Sequence, residues 1–161
     1  MFYVIMGVSG TGKSTIGKLL SDRTGWNFYD ADDFHPLANI VKMKRGVALT
    51  DEDRLPWLQK LEALITRNLQ ENRPGILACS ALKSDYRKIL RNNRSEVVFI
   101  YLRGDFNCIQ TRLLQRTGHF MNSNLLHSQF DTLEEPEDAL VIDVSLTREE
   151  IVKEILNQIN H

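Results

Sequence analysis

The segment Gly7-Val8-Ser9-Gly10-Thr11-Gly12-Lys13-Ser14 sets a glycine, four residues and then Gly-Lys-Ser at the point where an apolar run gives way to a helical pattern. No other feature constrains the fold as tightly. Upstream, Phe2-Tyr3-Val4-Ile5-Met6 is aromatic, branched and apolar throughout, as a parallel strand buried on both faces must be. Downstream, Ile16, Leu19 and Leu20 recur at helical spacing from Ser14 onward. Strand, glycine loop and helix in that order form a cradle for phosphate. The glycines let backbone N–H groups turn inward and the helix start adds the positive end of its dipole. Lys13 then reaches the β and γ phosphates, and Ser14 holds Mg²⁺. The expected ATP-binding residues are Gly7, Val8, Ser9, Gly10, Thr11, Gly12, Lys13, Ser14 and Thr15.

The remaining chain alternates strand and helix. The first helix runs from Ser14 to Arg23 and stops at Gly25; Trp26 to Tyr29 is a second strand. A short helix spans Leu37 to Lys44, and Pro56 is expected to open a longer one reaching Gln70 or Glu71. Ile76 to Cys79, Glu96 to Leu102 and Ala139 to Val144 read as strands three to five. Asp105 is placed to cap the helix carrying Phe106, Ile109 and Leu113, and Thr147 with Glu150 forms a capping box before the last helix. Parallel strands need long crossovers, so the expectation is a three-layer α/β chain around a five-stranded parallel sheet. Two inserts near the site are expected, one over about 35–72 that binds substrate and a lid over about 116–132.

Acidic residues crowd the end of the second strand in Asp30-Ala31-Asp32-Asp33. In an open α/β sheet that edge is where ligands sit. If the strand continues, Asp30 and Asp32 point to one side and both face the Mg²⁺ and the γ-phosphate. Asp30 is assigned to the metal through water, and Asp32 to deprotonation of an acceptor hydroxyl. Arg54, His35, Lys83 and Arg87 are the donors available to an anionic acceptor; Lys83 and Arg87 stand one helical turn apart. Arg112 and Arg116, just before Thr117-Gly118-His119, are expected to lie over the transferring phosphates on a glycine-hinged lid.

Composition narrows the partners. Net charge is −1 with the charges interspersed, so neither a nucleic-acid footprint nor a membrane patch stands out. The chain enters its first strand without a leader pattern and has no run of eighteen apolar residues, which leads to the expectation of a cytoplasmic protein. Cys79 and Cys108 lack metal spacing. A GTPase switch is disfavoured, because Asp22-Arg23-Thr24-Gly25 lies too close to the loop and no Asn-Lys-x-Asp segment exists. A nucleotide-binding regulator without chemistry has no use for Asp32 or the lid arginines.

Together with the loop, the segments Asp30 to Pro36, Asn39 to Met43, Asp51 to Leu58, Cys79-Ser80-Ala81-Leu82-Lys83 and Gly118-His119-Phe120 resemble the gluconokinase family across the whole chain. The resemblance implies an adenylate-kinase-like P-loop kinase fold with strand order 2-3-1-4-5 and ATP-dependent phosphorylation of D-gluconate to 6-phosphogluconate. It implies Mg²⁺ as cofactor, His119 among the substrate-binding residues, a cytoplasmic setting and a homodimer. Another anionic acceptor on the same fold, shikimate or a nucleoside monophosphate, is the alternative.

Overall fold

The computed structural model describes residues 1–117 and 123–160, without the side chains of residues 116, 117, 123 and 124. The strands β1 (Phe2–Met6), β2 (Asn27–Asp30), β3 (Gly75–Ala78), β4 (Val97–Arg103) and β5 (Leu140–Asp143) form one sheet in the order β2-β3-β1-β4-β5. Every pairing is parallel, with Val4 of β1 set against Leu77 on one side and Phe99 on the other. The strand order implied by the family resemblance is therefore the one observed.

The helices are α1 (Lys13–Thr24), α2 (Leu37–Lys44), α3 (Asp51–Gln70), α4 (Ser84–Arg91), α5 (Phe106–Thr117), α6 (Ser123–Thr132) and α7 (Arg148–Ile159). Strand alternation divides the core into two layers. Phe2, Val4, Met6, Leu77 and Phe99 face α3 and α4, where they meet Leu58, Leu61, Ile65 and Leu90. Tyr3, Ile5, Ile76 and Ile100 face α1 and α7, meeting Ile16, Leu20, Ile151 and Ile155. Each of these wholly buried aliphatic or aromatic side chains contributes about 1.5–3 kcal/mol. A third, smaller cluster of Val8, Leu82, Ile109, Leu113 and Leu126 packs α5 and α6 against the glycine loop.

Two local expectations change. Pro56 does not open a helix: α3 starts at Asp51, because Thr50 and Asp53 complete a capping box in which Thr50 Oγ1 accepts from Asp53 N and Asp53 Oδ2 accepts from Thr50 N. The proline forfeits one backbone bond, to the carbonyl of exposed Glu52, which solvent can satisfy, and the helix continues through it. Nor does β2 continue through Asp32. It ends at Asp30, whose Oδ1 accepts from Asp32 N at 3.0 Å and bends the chain into a 3-10 turn over Ala31–Phe34.

Candidate active site

Gly10 and Gly12 of the loop take a left-handed backbone that residues with a side chain rarely adopt. Gly10 has φ 86° and a Cβ there would come within 2.8 Å of Leu113, while Gly12 has φ 91° at the start of α1. The loop is braced from inside by the carbonyl of Val8, which accepts from Thr11 Oγ1 at 3.0 Å and from Lys13 Nζ at 3.1 Å. Burial pushes the Lys13 ammonium below its usual range, and Cys79, Asp32 and Asp30 oppose that shift. Ser14 Oγ donates to Asp30 Oδ2 at 2.7 Å. The first helical hydroxyl and the last carboxylate of β2 are thus joined at the mouth of the loop.

A cavity of about 330 Å³ lies there, lined by Lys13, Ser14, Asp30, Asp32, Trp57, Cys79, Ser80 and Gln129. The 3-10 turn turns Asp32 into it despite the lost strand, so Asp30 and Asp32 reach one space by a different route from simple alternation. Burial, then the charge of Asp30, raises the Asp32 carboxyl above its ordinary value; His35 and Lys13 pull the other way. Asp33 is exposed. Cys79 is buried and its thiol is pushed up to about 12, which leaves it inert as a nucleophile.

A second cavity, about 170 Å³, adjoins the first through shared Asp32, Trp57 and Ser80 and is further lined by His35, Met43, Arg54 and Tyr86. His35 stacks on Trp57 with centroids 4.3 Å apart, and Trp57 Nε1 donates to the carbonyl of Ala31 at 2.7 Å. Arg54 is the cation that lines this space; its Nη1 donates to Tyr86 Oη at 3.1 Å. Lys83 is placed differently from expectation. Its ammonium bridges to Asp51 at 3.0 Å at the rim and is not among the lining groups.

Arg87 departs further from the expected basic pair. It is buried, with Nη1 donating to the carbonyls of Ala81 (2.7 Å) and Leu82 (3.1 Å) and Nη2 to that of Glu134 (2.7 Å). Ala81 sits at φ 44°, and the guanidinium holds this left-handed residue and the Ser80–Leu82 turn in place. One helical turn from Lys83 along the axis, Arg87 points inward because three carbonyls converge there.

Arg112 lines a different cavity. With Gly10, Thr11, Gly12, Thr15, Gln115, Thr147 and Arg148 it encloses about 380 Å³ on the far side of the loop, and its Nη2 donates to the carbonyls of Val144 and Leu146. Thr15 borders both this cavity and the one holding Asp32. The side chain of Arg116 and the whole of His119 lie outside what the structure describes. The expected lid falls partly on those residues. Its described part, α6, is docked: Gln129 Oε1 accepts from Ser9 N at 2.6 Å and Gln129 Nε2 donates to Ser9 Oγ at 2.7 Å. Sequence reasoning missed Gln129, since a lone glutamine on a helix carries no motif.

The chain has close relatives. The gluconokinase of Arabidopsis thaliana is 44% identical, over 96% of this chain and 90% of that protein. A solved gluconokinase from Sinorhizobium meliloti 1021 is 42% identical with a TM-score of 0.85, over 96% of this chain and 89% of its own. The chain belongs to the gluconokinase family. It also matches the family model for shikimate kinase over residues 9–160. The solved shikimate kinase of Aquifex aeolicus is only 20% identical, at a TM-score of 0.57 over 99% of this chain and 96% of its own, so that likeness carries the fold alone. Gluconokinase-family membership makes this a P-loop kinase that uses ATP.

Proposed function

We propose that this protein transfers the γ-phosphoryl group of ATP to the terminal hydroxyl of D-gluconate, giving 6-phospho-D-gluconate and ADP. The observation that carries the reading is the meeting of two cavities at Asp32: one runs along Lys13 and Ser14, the other along Arg54, His35 and Tyr86. A phosphate donor and an anionic polyol approaching from opposite sides bring their reacting atoms together beside that carboxylate. The relatives' gluconokinase activity supports the choice of acceptor.

In this reading the cavity beyond the loop takes the nucleoside of ATP, with Arg112 and Thr15 along its path. Backbone N–H groups from Gly10 to Ser14 hold the phosphates, and Lys13 moves from the Val8 carbonyl to the β–γ bridge. Ser14 and Asp30 suit Mg²⁺, which takes few protein oxygens and keeps several waters; among the described residues no ready-made cage of three or more acidic, His or Cys ligands exists. Bound there, the ion neutralises phosphate charge. Arg54 anchors the acceptor carboxylate, His35 and Tyr86 bond its hydroxyls, and Asp32 takes the hydroxyl proton as the new O–P bond forms and ADP departs. Lys83, Arg87, Arg116 and His119 remain part of the proposal only as surrounding or lid groups. Cytoplasmic location and a homodimer rest on family resemblance; among the described residues no helix is long and apolar enough to cross a membrane.

The test is ADP release coupled to a spectrophotometric assay, with gluconate, shikimate and nucleoside monophosphates as acceptors. Gluconate should be turned over fastest. Faster turnover of shikimate or a nucleotide overturns the assignment.

A further inference from the structure

One side chain beside the acceptor cavity has no place in the mechanism above, yet it is almost wholly buried. Asn39, on the first turn of α2, is 3% exposed and bonds in two directions from a single nitrogen. Its Nδ2 donates to the backbone carbonyl of Asp53 at 2.9 Å and lies 3.3 Å from His35 Nδ1. The Asp53 carbonyl can only accept, so the amide must present its NH₂ group there; flipping it would set two acceptors against each other. The same NH₂ group has a second hydrogen, and that hydrogen faces His35 Nδ1.

We infer that Asn39 is a positioning residue that holds His35 as the neutral tautomer protonated on Nε2, making His35 a fixed hydrogen-bond donor to the acceptor substrate. An NH₂ group facing Nδ1 requires a lone pair there, so the ring proton resides on Nε2. Among the described residues no protein group takes up Nε2, and the ring that bears it lines the acceptor cavity with one face against Trp57. The groups facing the ring are Asp32 from its own turn, Arg54 from α3 and Tyr86 from α4. Asp53 is linked to it only through Asn39, which its carbonyl bonds, its carboxylate being taken by Lys42 and Thr50. Burial lowers the His35 pKa, Asp32 opposes this and Arg54 reinforces it, so the neutral ring prevails at neutral pH.

Two consequences follow for the chemistry. With Nδ1 bonded and Nε2 protonated, His35 has no free lone pair and is removed as a base, leaving Asp32 to take the hydroxyl proton. A neutral donor also suits a hydroxyl or carbonyl-type oxygen of the acceptor better than its carboxylate, which falls to Arg54. The inference rests on the proposed function only for the identity of the molecule that receives the Nε2 bond.

The decisive experiment is a long-range ¹H–¹⁵N spectrum of the ligand-free enzyme labelled in its four histidines, with His35→Gln assigning the signal. At pH 7.5 His35 should show a pyrrole-type Nε2 and a pyridine-type Nδ1. Asn39→Ala should bring the Nδ1–H form to a comparable population, and Asn39→Asp should move His35 to a higher pKa. An imidazolium or an Nδ1–H tautomer in the unaltered enzyme overturns the inference, even if the Asn39 variants fail to fold. An unchanged tautomer in a folded Asn39→Ala enzyme does so as well. In kinetics, His35→Gln keeps a donor near the Nε2 position and should hold the gluconate KM within about fivefold, whereas His35→Asn and His35→Ala should raise it about 10- to 100-fold. Equal effects of Gln and Asn contradict the Nε2 assignment. Failure to turn over gluconate at all overturns the proposed function and leaves the spectrum to decide this point.

Discussion

In the proposed mechanism Asp32 meets two demands at once: it must be ionised to take a proton and basic enough to want it. Burial and the neighbouring Asp30 raise its pKa, which favours basicity, while Lys13 keeps the charged form accessible. The group works only when deprotonated, so kcat/KM for gluconate should fall as pH drops through a value above the usual carboxylate range. Asp32→Asn should remove that acid limb and lower kcat about 10²- to 10⁴-fold while ATP still binds. A pH profile flat down to the normal carboxylate range, or near-normal kcat in the variant, contradicts the role. Arg54 makes a different prediction, because its proposed role is in binding before chemistry. Arg54→Ala should raise the gluconate KM about 10- to 100-fold with a smaller change in kcat, as loss of a charge-assisted bond implies. Equal losses in both parameters point instead to an effect on the reacting atoms.

At the scale of elements, the sequence revealed most where a short-range rule had no competitor. The loop, the capping box at Thr147 and the helix over Leu37–Lys44 were legible from residue type and spacing. Pro56 was misread because Thr50 to Asp53 reads as a capped acidic turn separate from the helix that it in fact opens, and Asp32 reaches the cavity it shares with Asp30 by a backbone path that strand alternation did not foresee. Arg87 was opaque for another reason: its three carbonyl partners come from the 81–82 turn and from Glu134, far away in sequence. Removing it should therefore cost stability rather than substrate affinity. Arg87→Met removes the donor to the Ala81 and Glu134 carbonyls, while that of Leu82 keeps Glu134 N, and about 2–4 kcal/mol of unfolding free energy should be lost by urea titration. An unchanged midpoint with a raised gluconate KM would restore the binding role. Asp53 ties α2 to α3 through Lys42 and the Thr50 cap, which depress its carboxyl from 3.8 to about 2. That stabilisation is present above pH 3.8 and is lost as pH falls toward 2. Asp53→Asn should flatten this part of the stability–pH curve; the same slope in both proteins rules the tie out.

Across the whole molecule, the parallel sheet sets the order of events by bringing the carboxyl ends of β1, β2 and β3 to one edge. The β1 end supplies the phosphate loop, the β2 end the acidic turn and the β3 end Ser80, so the cavities on either side of Asp32 follow from strand order. The parallel sheet was readable from the alternation of elements, and the strand order only from family resemblance. The separation of Arg112 from Asp32 was not, since it depends on how α5 packs against the segment 144–147. In the proposed arrangement Arg54 holds the carboxylate and Asp32 stands beside the phosphate loop, so the acceptor would lie extended with its far end at the reacting centre. The phosphorylated position therefore reports the geometry of the whole site. The measurement is ¹H–³¹P correlation NMR of the product formed from ATP in an equimolar mixture of gluconate, shikimate and AMP. Phosphorus coupled to the C6 methylene protons of gluconate is the expected result; phosphorus on another gluconate hydroxyl, or mainly on shikimate or AMP, would contradict it.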